Sequence, residues 1–350
     1  MSTKSLAAVS TDRKPNPAKS ATPKLLSVAA IGIVICLAFA LPFVTTGYHL
    51  VQATYVLIYA IALLGLNLLL GYNGQLSLGH GAFYAIGAYV TINLINHAGL
   101  PYWCAIPIAA VLCLICGFLF GLPALRLEGH YLALATFALA LATPQLLKNS
   151  ALAKWTGGFM GMTLSPVTAP KGVPLGSDQW LYLFCLVYLL ALYWAAWNLV
   201  RSRTGRAIIA LRDHPIAATT MGINAAFYKS MVFGVSAMYA GIAGGLGLLA
   251  AQFVSPDSFD MFLSLGFVVG VVVGGIATIS GAVYGAIFIQ FVPDLASHIS
   301  KSAAWAVYGI TLIAFMYLLP NGVAGVVSRS GQIISRLKIG RAREKLYVVE

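Results

Sequence analysis

Acidic residues are nearly missing from this chain. Nine Asp and Glu stand in 350 residues, and only 9% of all residues are charged. Asp12, Glu128, Asp178, Asp213, Asp257, Asp260, Asp294, Glu344 and Glu350 all fall in tails, loops or the ends of apolar runs. A soluble domain of this length needs far more surface charge, so the composition excludes one. The shortage leaves no paired carboxylates to set on facing helices, and no Ser/His/Asp arrangement can be placed there either. Both absences argue against a membrane-embedded enzyme. They also argue against proton coupling through an intramembrane carboxylate, for which Asp294 is the nearest candidate. Sodium coupling through backbone carbonyls is not excluded in this way. No G-x-x-x-x-G-K-[ST] loop occurs, so ATP is not bound through that motif. The five cysteines (Cys36, Cys104, Cys113, Cys116 and Cys185) all sit in apolar runs. Cys113 and Cys116 form a C-x-x-C without a second ligand pair and read as packing. No metal or cofactor is expected.

What the chain has in excess is apolar surface. Hydrophobic residues make up 60% of it, and the mean hydropathy is +0.87. With long charge-free runs, this is an all-α polytopic membrane protein. The runs are Leu25–Phe43, Leu50–Leu70, a short Ala82–His97, Trp103–Leu122, His130–Leu147, Trp180–Val200, Ser230–Gln252, Ser264–Val292 and Ala304–Pro320. Ala38-Phe39-Ala40 resembles a signal cleavage site, but the polar stretch before it is long for a signal and more runs follow, so the first helix reads as retained. Gly241, Gly244, Gly245 and Gly247 are expected to flatten one side of their helix for close contact.

Charge parity sets the span count. Ser264–Val292 is either one helix or two, broken near Thr278-Ile279-Ser280-Gly281. With the break there are about ten spans and both termini are cytoplasmic. Seventeen of the 21 Lys and Arg then lie inside: five in the N-terminal tail, Arg126, five in 201–229 and six beyond residue 327. Only Lys148, Lys154, Lys171 and Lys301 lie outside, as a positive-inside bias requires. The expected organisation is a disordered cytoplasmic tail over 1–24, a membrane domain over 25–327 and a basic cytoplasmic tail over 328–350. Within the membrane domain, 148–179 is an outer loop with Trp155 and Trp180 as interfacial anchors. The net charge of +12 is accounted for by this bias and is not a nucleic-acid signal.

Two polar intervals stand out. Arg201–Lys229 is patterned: Ile208, Ile209 and Leu211 beside Arg206 and Arg212 make a short amphipathic helix over Arg206–Asp213. Asp213 ahead of Pro215 suits a second helix start, Gly222 a left-handed cap, and Asn224 the cap of the next helix. The reading is a rigid helix–turn–helix lying on the membrane; the plain alternative is an ordinary basic loop. The second interval, Gly71–Gly81, is too polar and Gly-rich for a lipid-facing helix. Non-helical backbone at membrane depth is tolerated where protein buries it or where it lines a wet cavity. Gln75, Ser77 and His80, with Tyr84 beyond them, are therefore the pathway candidates; the alternative is a turn outside the membrane with His80 solvated. His49, His97, His130 and His298 sit at the ends of runs and read as interfacial.

The segment GYNGQLSLGHGAFYAIGAY over 71–89 closely resembles the signature of the inner-membrane permeases of branched-chain amino acid ABC importers, in the LivM-like branch. Leu125–Tyr131 running into Ala135-Thr136-Phe137 is similar to that family's Leu-Arg-x-x-Gly-x-Tyr segment. Arg206–Tyr228 is similar to its ATPase-coupling loop. Gly274-Gly275 with Gly281 and Gly285, and Leu319–Gly325, also fit, so the resemblance covers roughly 54–327. One departure is Trp155–Gly161, where Phe159 and Met160 stand in place of a polar pair. The resemblance implies an ABC importer permease fold in a bacterial inner membrane, with no catalytic residues of its own. Its implied partners are a second, LivH-like permease, two cytoplasmic ATPases and a periplasmic substrate-binding protein. It also implies that Arg212, Asp213, Pro215, Ile216, Ala217, Ala218, Gly222 and Asn224 form the ATPase-coupling surface. The substrate is a branched-chain amino acid or a related solute such as urea, a short amide or an aromatic acid. The competing class is a stand-alone channel or secondary carrier for a small neutral solute, which has no need of so shaped a loop at 201–229.

Reporter fusions at Arg341 and Thr168 test the charge count. They are expected on opposite sides of the membrane, with Thr168 outside; finding them on one side removes both the break and the count of ten.

Overall fold

Apolar runs in hydrocarbon resolve into helices because a helix satisfies its own backbone donors and acceptors. The computed structural model describes residues 22–45, 47–124, 129–169, 175–299, 303–320 and 322–327. The tails over 1–21 and 328–350, the turn with Arg126 and Glu128, and Lys171 and Lys301 lie outside the described residues. The chain divides into two compact units, Met1–Ala38 and Phe39–Glu350. Helix α1 (Thr22–Val44) begins in the first unit and ends in the second; it starts ahead of Leu25, so Thr22–Lys24 belong to a helix and not to the tail.

The second unit opens with α2 (Tyr48–Asn67), which widens into a π turn at Leu68–Tyr72. α3 (His80–Asn96), α4 (Tyr102–Ala124) and α5 (His130–Leu147) follow. A short α6 (Ala153–Thr156) and strand β1 (Met162–Thr163) occupy the loop ahead of α7 (Ser177–Arg201). Then come α8 (Arg203–Asp213), α9 (Pro215–Thr220), α10 (Ala225–Ala251) and strand β2 (Phe253–Val254). α11 (Met261–Gly274), α12 (Gly281–Ile299) and α13 (Ala304–Leu318) complete the order, and 322–327 is again helical. Among the described residues, seven helices are long and apolar enough to cross a membrane. The run 264–292 is two helices packed against each other, parted at 275–280.

α10 is the buried centre, flanked by α4, α3 and α2. Small residues let it approach closely, which is how helices associate where no water is expelled. A side chain at Gly244 would strike the Tyr84 carbonyl of α3, whereas one at Gly241 would strike Cys113 of α4. The glycines thus serve two neighbours and not the one flat side expected from their spacing. Phe233 of α10, Phe83 of α3 and Phe120 of α4 close the gap edge to face or tilted, with ring centroids 5.6–6.2 Å apart. The loop before α7 is not free either. β1 pairs antiparallel with β2, Met162 opposite Val254, and Leu164 N–H donates to Gln252 O at 2.8 Å.

Gly244→Val is expected to cost about 1–3 kcal/mol by overpacking, read as a lower melting temperature in detergent. Gly266, which faces open space, supplies the control: Gly266→Ala should leave the melting temperature unchanged.

Candidate functional site

The interval Gly71–Gly81 is built from the end of α2. The π turn gives Asn73 N–H to Leu68 O at 3.2 Å and Gln75 N–H to Leu69 O at 3.1 Å. Beyond it the chain is non-helical until His80, and side chains of other helices satisfy its backbone. Leu78 N–H donates to Thr136 Oγ1 of α5 at 2.9 Å, and Gly81 N–H to Ser264 Oγ of α11 at 2.9 Å. Protein therefore buries this segment, and Asn73, Gln75, Ser77 and His80 are all buried.

Ser77 and His80 are brought together: Ser77 Oγ lies 3.5 Å from His80 Nδ1. His80 Nε2 lies 2.6 Å from Ser236 Oγ of α10, which in turn donates to Gly65 O at 2.6 Å. Gln75 stands apart, its Oε1 accepting from Asn73 Nδ2 at 2.7 Å. Tyr84, one turn beyond His80, is buried with its ring 5.7 Å from Phe267 and 6.0 Å from Phe259. Asn73 Oδ1 is buried with no partner among the described residues, a defect that ordinarily costs about 1–3 kcal/mol. Thr136, Ser236 and Ser264 were not singled out from the sequence. Their signal was there: lone hydroxyls inside apolar runs, each paired here with a group from another element.

The interval 201–229 is as ordered as its pattern implies. Ser202 Oγ accepts from Gly205 N–H at 3.2 Å and caps α8. Ile208 and Leu211 are buried, and Ile208 joins the cluster of Leu69, Phe83 and Phe233. Only His214 separates α8 from α9, and Pro215 opens α9. α9 ends with Ile223 N–H on Ala218 O at 3.1 Å and Gly222 N–H on Thr219 O at 3.0 Å. Gly222, at φ +83°, supplies the left-handed residue this double closure needs. Asn224 Oδ1 accepts from Phe227 N–H at 3.1 Å and starts α10.

Two of the expected coupling residues, Arg212 and Ala218, make contacts within the chain that residue type did not imply. Asp213 ends α8, and Arg212 Nε donates to its Oδ1 at 2.8 Å. That hydrogen bond, with the charges of Arg212 and His214, holds the carboxyl below its usual range. The pair therefore persists at neutral pH and is lost only as pH falls through that lowered value. Ala218 is buried against its own chain because the closing turn folds Ile223 back over it. Arg212 reaches inward, with Nη1 donating to Gly71 O at 2.7 Å. All of α9 but Ala218 is exposed, including Ile216 (80%) and Ala217, and Met221 just beyond its end, unforeseen from the sequence, is 85% exposed.

At the far end of α3 lies a groove of about 530 Å³, lined by Tyr89, Asn93, His97 and Trp155 among others. Asn93 Nδ2 donates to Trp155 O at 2.7 Å, while Tyr89 Oη and Asn93 Oδ1 are buried without partners among the described residues. Gln75, Ser77, His80 and Tyr84 do not line it. No three His, Cys, Asp or Glu side chains among the described residues gather where a metal could sit.

The family model described as branched-chain amino acid transport system / permease component matches residues 49–319. The chain belongs to that family. The permease is 33% identical over 314 residues to the high-affinity branched-chain amino acid transport system permease protein LivM of Escherichia coli, covering 83% of this chain and 73% of the relative. To the protein of the same name from Salmonella typhimurium it is 32% identical, covering 85% and 76%. A probable branched-chain amino acid transport permease protein LivH from Methanocaldococcus jannaschii is 27% identical, covering 76% and 89%. No solved structure matches the permease.

His80→Ala removes the partner of Ser236 and opens a void, so a loss of about 2–4 kcal/mol in thermal stability is expected. Gln75→Ala breaks one bond to a neighbour two residues away and should cost less than ~1.5 kcal/mol. Equal melting shifts for the two variants would contradict this ranking.

Proposed function

We propose that the permease is the non-catalytic membrane subunit of an ATP-driven importer for branched-chain amino acids in a bacterial inner membrane. Ten spans place both termini and α8–α9 in the cytoplasm and the 148–179 loop in the periplasm. In this reading the chain pairs with a second, LivH-like permease, two cytoplasmic ATPases drive it, and a periplasmic binding protein delivers the solute. The observation that carries the reading is the α8–α9 platform: α8 is locked into the core by Ile208 and Leu211, while α9 presents Ile216, Ala217 and Met221 outward. A small apolar patch with charge around it is what a docking interface needs at its centre, and a stand-alone channel has no use for one.

Pro215, Gly222 and Asn224 hold α9 in shape, and Arg212 and Asp213 set its bearing. Gln75, Ser77, His80 and Tyr84 belong to the solute's route, closed over by α10 in the arrangement described. The route opens when the 73–79 segment is displaced. The groove beside Tyr89 and Trp155 is its periplasmic approach.

Ala217→Glu places an unpaired charge in the docked interface, which is among the costliest changes a contact can suffer. The variant should insert in the membrane at wild-type level, fail to retain the ATPases on purification, and lose uptake. Full ATPase yield with normal transport would sink the docking assignment.

A further inference from the structure

α8 meets the rest of the chain in two ways. Ile208 and Leu211 bury against it through apolar contact, which has no preferred direction. Arg212 adds a directional contact. Its Nη1 donates to Gly71 O at 2.7 Å while its Nε is held by Asp213 Oδ1 at 2.8 Å. With both ends of the guanidinium fixed, the side chain is a strut and not a tether. Gly74 is shaped to receive it. It stands at φ +72°, and a β-carbon there would come 2.8 Å from Arg212 Cγ.

The far side of the same π turn is held just as firmly. Asn67, buried in α2, accepts from Ala277 N–H at 2.9 Å and donates to Thr278 O at 2.7 Å. This two-point clamp grips the break between α11 and α12 at Ala277, a non-glycine residue with φ +58°. Gly71 lies between the two, its Cα face against Asn67 and Ala277. One turn of α2 thus joins α8 on one side to the α11–α12 break on the other. The Gln75–His80 segment hangs directly from it.

We propose that Arg212 is a positioning residue for transport: it carries displacement of the α8–α9 pair into the 73–79 segment, and Asn67 passes it on to the 275–280 break. The proposal rests on the reading of α9 as the docking helix. It gives Arg212, whose side chain is 32% exposed, a bond to the π turn in addition to its place on the platform surface. Coupling needs an element that both sites bias, and this is the polar bridge that reaches from the platform to the buried segment.

The test uses the complete importer in liposomes, with both permeases, the ATPases and the binding protein, and leucine as the probe solute. Arg212→Gln keeps a similar stem but loses the charge and the fork. In complexes that retain both ATPases, leucine moved per ATP hydrolysed should fall about tenfold or more. Arg212→Lys keeps the charge but not the fixed fork that meets Gly71 O and Asp213 Oδ1 together, and should fall by about threefold; it carries the test should the Gln variant fail to accumulate. Asn67→Leu, which removes both clamp bonds, should uncouple in the same manner. Wild-type leucine per ATP in Arg212→Gln overturns the proposal. So does loss of the ATPases from that variant, which would make Arg212 part of the docking contact itself. If the wild-type importer shows no ATP-driven uptake, the functional reading fails and the proposal falls with it.

Discussion

A peptide group left unpaired in hydrocarbon costs several kilocalories per mole, and the fold answers that cost at each place where a helix is broken. Among the described residues, 73–79 and 275–280 interrupt the packed helices. Thr136 meets Leu78 N–H in the first and Ser264 meets Gly81 N–H just beyond it, while Asn67 meets Ala277 N–H and Thr278 O in the second. Polar residues are scarce in the apolar helices, and several of those present are spent on the backbone of another element. Ser236, bridging His80 and the Gly65 carbonyl, does both at once. Remove these few groups and the breaks could not be held at the depth where they occur.

The same economy explains α8 and α9. A helix of α8's length is marginal alone in water, and burial of Ile208 and Leu211 is what fixes it. α9 is shorter still. It holds its shape because Pro215 starts it, Gly222 ends it, and only one residue links it to α8. Its apolar residues are then free to face outward, which an unsupported helix of six residues could not sustain.

Much of this was legible in the sequence because it rests on local signals. The span ends follow composition, α5 to the residue. The caps at Gly222 and Asn224 follow residue type, and the break in 264–292 follows from charge parity. The long-range polar pairings were not legible. Nothing in a single sequence says that Arg212 meets Gly71 or that Asn67 meets Ala277, since each pairing depends on how three helices cross. Ala218 shows the same limit on a small scale. Its residue type suited close approach to a partner, but the fold of the next turn decided that it would be covered. The pairing of Met162 with Val254 likewise escapes a stretch read only as an outer loop.

That pairing has a mechanical consequence. The 27 residues of α10 make a rod about 40 Å long at ~1.5 Å per residue. One end is riveted through β2 to the loop carrying Phe159 and Met160, and the other begins at Asn224, two residues beyond Gly222. A rod packed along nearly its whole length does not bend; it can tilt or slide only as a piece. The loop at one end and the short helix at the other are thus joined by a single packed element, pinned to α3 where a side chain on Gly244 would strike the Tyr84 carbonyl.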